Sequence, residues 1–148
     1  QHPVELLIAA TRTHPSTQTS PLITLYGIKN CDSVKQARHW LTQNGVDYRF
    51  HDFRVSGLTP AVLDAWLRQA GWESLLNRRG TTWRRLPDSS KTGVDAAAAR
   101  ALMLDHPALI KRPILTAYGA HLVGFVHTTY QEFFSRHKKL AGDSRGQL

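Results

Sequence analysis

Cys31 is the residue of this chain best suited to covalent chemistry, and its setting in Tyr26-Gly27-Ile28-Lys29-Asn30-Cys31-Asp32-Ser33 indicates which chemistry. A β-branched and aromatic run, 22–26, closes at Gly27. Asn30 follows at a helix N-cap position, and Val34, Ala37 and Leu41 then recur at helical spacing. This places the thiol in the first turn of a helix, facing unpaired backbone N–H groups and the positive end of the helix dipole, both of which favour thiolate over thiol. Lys29 adds positive charge and Asp32 opposes it. An isolated cysteine is most often a small buried hydrophobe, but a cysteine that ends a strand and begins a helix reads as a nucleophile. The residue three positions on, where a dithiol oxidoreductase carries its second cysteine, is Val34, and the chain has no other cysteine. A covalent intermediate on Cys31 therefore needs an outside thiol to release it.

Other polar groups have weaker signals. Arg78, Arg79, Arg84 and Arg85 surround Gly80-Thr81-Thr82, which reads equally as an anion cradle and as a solvated basic face. Arg54, at the end of the second strand, is a further anion contact near Cys31. His39 and His51 show no metal-ligand spacing, and one cysteine makes no structural zinc site, so no metal is expected. Trp40, Trp66, Trp72 and Trp83 read as core residues. Gly119-Ala120 opens a strand and not a helix, so no phosphate-binding glycine motif is present.

The elements that position these groups belong to a chain of 148 residues with 41% hydrophobic content, enough for one domain with a real core. No run approaches the roughly 18 consecutive apolar residues of a membrane span. A single cysteine excludes the disulfide-stapled secreted class and points to a reducing compartment, the cytoplasm. The net charge of +8 suggests an anionic partner without choosing one. Residues 1–20 read as a flexible extension, polar and proline-broken in 11–21 and carrying no secretory signal. Residues 138–148 read as a flexible tail.

The order of elements is β-α-β, a helical stretch, then β-β-α. A helix over 31–44 follows the first strand and ends at Gly45, and Val46, Tyr48 and Phe50 alternate as a second strand. Thr59-Pro60 opens a helix ending at Gly71, 72–77 reads as a short helical turn, and Asp95 to Asp105 forms an alanine-rich helix stopped by His106-Pro107. Ile114-Leu115 and 122–125 then form a hairpin about Tyr118-Gly119-Ala120, and Thr128 with Gln131 caps a last helix. A β-α-β opening places its strands parallel. The expected architecture is an α/β thioredoxin-like fold with a four-stranded mixed sheet. Residues 21–54 and 108–137 form its core, and 55–107 a helical insert.

Three stretches in that order, Tyr26-Gly27-Ile28-Lys29-Asn30-Cys31, Leu75-Leu76-Asn77-Arg78-Arg79-Gly80-Thr81-Thr82-Trp83 and Ile110-Lys111-Arg112-Pro113-Ile114-Leu115, carry a resemblance. From about Leu22 to Phe134 the chain resembles the arsenate reductase (ArsC)/Spx family, most closely its single-cysteine YffB-type branch. The resemblance implies a cis Arg112-Pro113 bond facing Cys31, with Arg112 holding an oxyanion or a glutathione carboxylate through its planar fork. It thus pairs Cys31 and Arg112 as catalytic residues, with Lys29, Asn30, Arg54, Arg78, Arg79 and Pro113 as contacts for glutathione or substrate.

In the family's arsenate reductases an arginine directly follows the Leu-Leu pair, where this chain has Asn77. A further family arginine falls at Gly124. Losing much of that clamp costs several kcal/mol, at about 1.5–3 kcal/mol for each charged hydrogen bond. A glutathione-dependent monothiol reductase therefore ranks first and arsenate reduction second. Glutathione is the expected co-substrate with no tightly bound cofactor, and glutathione or a cysteine-bearing reductant protein is the expected partner. The resemblance also implies an Spx-like alternative, a transcriptional regulator that binds the RNA polymerase α-subunit. Direct nucleic-acid binding rests on charge alone and is not expected.

Overall fold

The computed structural model of the protein describes residues 23–146, with side chains described as far as His137. The extension read over 1–20 lies outside the described residues. Four strands, β1 (Thr24–Gly27), β2 (Arg49–Asp52), β3 (Ile114–Ala117) and β4 (Ala120–Val123), form one mixed sheet in the order β2-β1-β3-β4. β1 pairs parallel with β2 and antiparallel with β3, and β3 pairs antiparallel with β4. This is the α/β thioredoxin-like arrangement expected from the order of elements.

Period-two alternation along the strands feeds two cores. Ile23 and Leu25, with Leu115 and Ala117, pack on one face beneath Val34, Ala37, Trp40 and Leu41 of α1 (Asp32–Gln43) and Tyr130 and Phe133 of the last helix. Tyr26 and Ile114 face the other way, into Phe53, Leu63, Trp66, Leu75, Leu76, Met103 and Ile110. These residues come mainly from the helices between β2 and β3: α2 (Phe53–Ser56), α3 (Pro60–Ala70), α4 (Trp72–Leu75), α5 (Thr81–Arg85), α6 (Asp88–Lys91) and α7 (Ala96–Asp105). Both faces of the sheet are thereby covered.

The middle helices share their core with Ile28 and Ile114 and pair with the chain that enters β3. Leu76 forms an antiparallel bridge with Ile110, Asn77 N–H donates to the Leu109 carbonyl (2.7 Å), and Lys111 N–H donates to that of Leu75 (2.8 Å). Arg100 of α7 grips Asp64 of α3 with two hydrogen bonds, Nε to Oδ1 at 2.7 Å and Nη2 to Oδ2 at 3.2 Å. That guanidinium holds the Asp64 carboxyl below the usual carboxylate range.

Local signals placed most boundaries. The Thr59 hydroxyl caps α3 through Val62 N–H, with Pro60 at the first helical position, and Asp95 caps α7 through Ala98 N–H. Several details differ from the sequence reading. β2 begins at Arg49 and not Val46, because a four-residue β1 offers a ladder only to Arg49–Asp52. In the hairpin, Tyr118 and Gly119 both take positive φ (53° and 77°), the pattern of a two-residue primed turn, so Ala120 already belongs to β4. The last helix, α8 (His127–Gly146), begins before Thr128, with Tyr130 N–H bonded to the Val126 carbonyl, so Thr128 is not its cap. Its backbone continues through most of the stretch read as a tail. The short helices α2, α5 and α6 have too few residues for a periodic pattern.

Candidate functional site

The turn between β1 and α1 is built on a close approach. A Cβ on Gly27 would lie 2.6 Å from Cγ2 of Val34, so only glycine lets α1 sit directly over the end of the strand. Gly27→Ala forces that contact apart and is expected to cost about 1–3 kcal/mol by overpacking. In urea denaturation the midpoint should fall, and pairing the change with Val34→Ala should restore part of the loss. An unchanged midpoint would show that the turn does not depend on this approach.

Past Gly27, Cys31 N–H donates to the Ile28 carbonyl (3.3 Å), closing a four-residue turn with Lys29 and Asn30 exposed at its centre. The Cys31 backbone is extended (φ −106°, ψ 129°), and its carbonyl accepts the first helical bond from Lys35 N–H at 2.9 Å. Cys31 is therefore itself the N-cap of α1. The sequence reading put Asn30 there and the helix one residue too early, because Asn is the stronger capping type. No side chain caps this helix, so a half-buried thiol at the N-cap shares its space with first-turn N–H groups that have no side-chain acceptor.

Arg112 and Pro113 approach from the neighbouring strand. Tyr26 pairs with Ile114, so the turn after Gly27 and the residues before Ile114 meet at one end of the sheet. The Arg112-Pro113 bond is cis, as the resemblance implied, and Pro113 is buried. Arg112 Nη1 donates to the carbonyls of Ala108 (2.7 Å) and Ile110 (3.4 Å), while its Nε is buried with no partner among the described residues. One nitrogen of the expected fork is thus occupied by backbone, which anchors the guanidinium and leaves part of it for a ligand. Gly124 N–H donates to the Pro113 carbonyl (2.7 Å).

Arg54 is not at the end of β2 but in the helical turn α2, because the Asp52 carboxylate caps that turn through Arg54 N–H (2.8 Å). The same carboxylate accepts Lys29 N–H at 3.2 Å. Asp52 thereby ties the Cys31 turn to Arg54, a link the sequence reading missed. The available signal was an aspartate, a capping residue type, at the end of the strand pattern. His51 and the aromatic group around it, Tyr26, Phe53 and Trp66, with ring centres 4.9–6.5 Å apart, brace the same corner. Burial there raises the Tyr26 phenol above its ordinary range.

The basic loop contributes less directly. Asn77 Oδ1 accepts Arg79 N–H (3.0 Å), and Arg84 folds back onto the Arg79 carbonyl (2.7 Å) and the Thr81 hydroxyl (3.3 Å). The Arg84 charge therefore serves the loop itself. Arg78 lies over the Trp72 ring at 5.5 Å, and Arg78 and Arg79 are exposed. No hydrogen bond among the described residues joins either to the Cys31 turn. The loop does dock beside Leu109–Lys111, just before Arg112. A cavity of about 300 Å³ opens between the Cys31 turn, α2, α5 and the corner after α7. A larger one, about 540 Å³, lies against the outer face of α1 near Trp40 and Phe125 and includes none of the predicted site residues.

Residues 26–133, the span holding this turn, the loop and the Arg112-Pro113 pair, match the model of the ArsC family. The chain belongs to the ArsC family. Its solved relatives include an arsenate reductase (ArsC) related protein from Brucella melitensis, 50% identical, covering 76% of this chain and 93% of that one with a TM-score of 0.62. The YFFB (PA3664) protein is 44% identical, covering 74% and 96%, with a TM-score of 0.72. The global transcriptional regulator Spx of Streptococcus pyogenes serotype M6 is 26% identical over 78% of this chain and 87% of its own. Family membership thus supports a thiol redox or regulatory role. No helix among the described residues is long and apolar enough to cross a membrane.

Proposed function

We propose that this ArsC-family chain is a glutathione-dependent monothiol reductase of the cytoplasm. The observation that carries the reading is the placement of the sole cysteine at the N-cap of α1, at the same end of the sheet as Arg112-Pro113. The Cys31 thiolate attacks the glutathione sulfur of a mixed disulfide RS–SG, forming a Cys31–SG bond and releasing RS⁻, which takes a proton from solvent. The thiolate of a second glutathione then attacks Cys31–SG. This restores the Cys31 thiolate and yields oxidised glutathione, so the mixed disulfide is reduced and glutathione is oxidised. First-turn N–H groups of α1, which no side chain caps, lie at the same helix start as the sulfur. Arg112, anchored through Nη1 on the Ala108 and Ile110 carbonyls, offers Nη2 to a carboxylate of glutathione. Lys29, Asn30, Arg78, Arg79 and the Pro113 strand edge form the outer contacts.

The test is steady-state turnover of a glutathionylated substrate with both reactants varied. The expected result is parallel double-reciprocal lines, the pattern of a covalent intermediate formed and then resolved. Turnover no faster than free glutathione would end the reading. Arsenate reduction ranks below it, since Asn77 is occupied with Arg79 N–H and Gly124 carries no side chain to hold an oxyanion. The match to a relative named as a transcriptional regulator favours one second reading, binding to the RNA polymerase α-subunit with Cys31 as an oxidant sensor. Capture by the carboxy-terminal domain of that polymerase chain, without turnover, would favour that reading.

A further inference from the structure

The 300 Å³ cavity beside the Cys31 turn is charged unevenly. Ile28, whose carbonyl receives Cys31 N–H, forms one wall, and Ala108, whose carbonyl anchors Arg112, forms another. Arg54 of α2, Thr82 of α5, Asp105 at the end of α7 and His106 just beyond it line the same cavity. Arg54 and Asp105 are exposed, and among the described residues neither is held in a salt bridge. Asp105 is the last residue of a ten-residue helix, so its carboxylate adds to the negative end of the helix dipole.

We propose that this cavity receives the γ-glutamyl end of the thiol partner and reads its free α-amino and α-carboxylate groups together. The inference rests on the glutathione reading and deepens it. An ammonium group is favoured at Asp105 and the end of α7, and a carboxylate at Arg54. The glycyl end of glutathione carries a carboxylate alone and would meet repulsion from Asp105, so the pocket also fixes which way the tripeptide lies. One tight turn joins the cavity to the thiol, since Ile28 lines the cavity and its carbonyl accepts Cys31 N–H. Asp52 holds Lys29 N–H and Arg54 N–H on one carboxylate, which keeps this wall of the pocket in register with the thiol.

The test uses S-methylglutathione, which binds without reacting, followed by backbone amide shifts of the full chain. Shifts are expected at Ile28, Thr82 and Ala108. Asp105→Asn and Arg54→Gln should each weaken binding about tenfold, the loss of one charge-assisted hydrogen bond at the low end of its range. N-acetyl-S-methylglutathione should bind the unmodified chain about tenfold more weakly, and Asp105→Asn should add no further loss. Shifts confined to the Trp40–Phe125 face, an Asp105→Asn affinity equal to that of the unmodified chain, or no binding at all would overturn the proposal. Binding with the expected pattern but without turnover would sink the reductase reading and leave this one standing. Turnover without the pattern would do the reverse.

Discussion

Cys31→Ser is expected to lower reduction of a glutathionylated substrate at least about a thousandfold, to the rate set by free glutathione. The size of the effect follows from the chemistry. A serine hydroxyl at the N-cap makes better hydrogen bonds to first-turn N–H groups than a thiol does, so the variant should fold at least as well. It cannot form a disulfide, however, and the chain holds no second cysteine to take over. Stability and activity therefore move apart, with an unchanged or higher denaturation midpoint and no turnover. A variant that retained turnover would place the chemistry away from Cys31.

Trp66→Ala should have the largest effect on stability. Trp66 is 1% exposed and packs edge-on against Tyr26 of β1 at 4.9 Å, with Phe53 of α2 at 6.0 Å. It joins α3 to the sheet face beneath the Cys31 turn and to the corner that carries Arg54. Truncating a fully buried tryptophan costs about 3–5 kcal/mol, a large share of the roughly 5–15 kcal/mol that a domain has. Thermal unfolding should shift downward by roughly 10 °C or more. Trp72→Ala is the control. That ring is only half-buried beneath Arg78, so its loss should cost much less. Equal shifts for the two variants would contradict the role given to Trp66.

The parts of the fold that repeat over several residues were legible in the chain. Val34, Ala37 and Leu41 marked α1, Leu63 and Trp66 marked α3, Thr59 announced α3 by its cap, and the alanine run marked α7, whose cap Asp95 was read as its first helical residue. The parts decided by partners were not legible. β2 is short because β1 is short, and no local pattern in Val46-Asp47-Tyr48 records that. The turn that carries Cys31 was readable, since the strand end, Gly27 and the helix that follows are local features. The places of Asp52 and Asp105 were not legible because each is set by residues far along the chain. Asp52 meets Lys29 N–H only through the β1–β2 register, and Asp105 comes to line one cavity with Arg54 only after α7 packs. Arg84 shows the converse. It belonged to a basic loop in the sequence, and folding spends its guanidinium on the loop's own carbonyl and hydroxyl.

The account depends most on Cys31 being an activated thiol that exchanges with glutathione. The direct measurement is the rate at which the chain gains one glutathione from oxidised glutathione at pH 7, followed by intact mass, against free cysteine under the same conditions. The account expects a single adduct on Cys31 that forms faster than on free cysteine and is removed by reduced glutathione. A rate no greater than that of free cysteine, or an adduct that reduced glutathione does not remove, would contradict it.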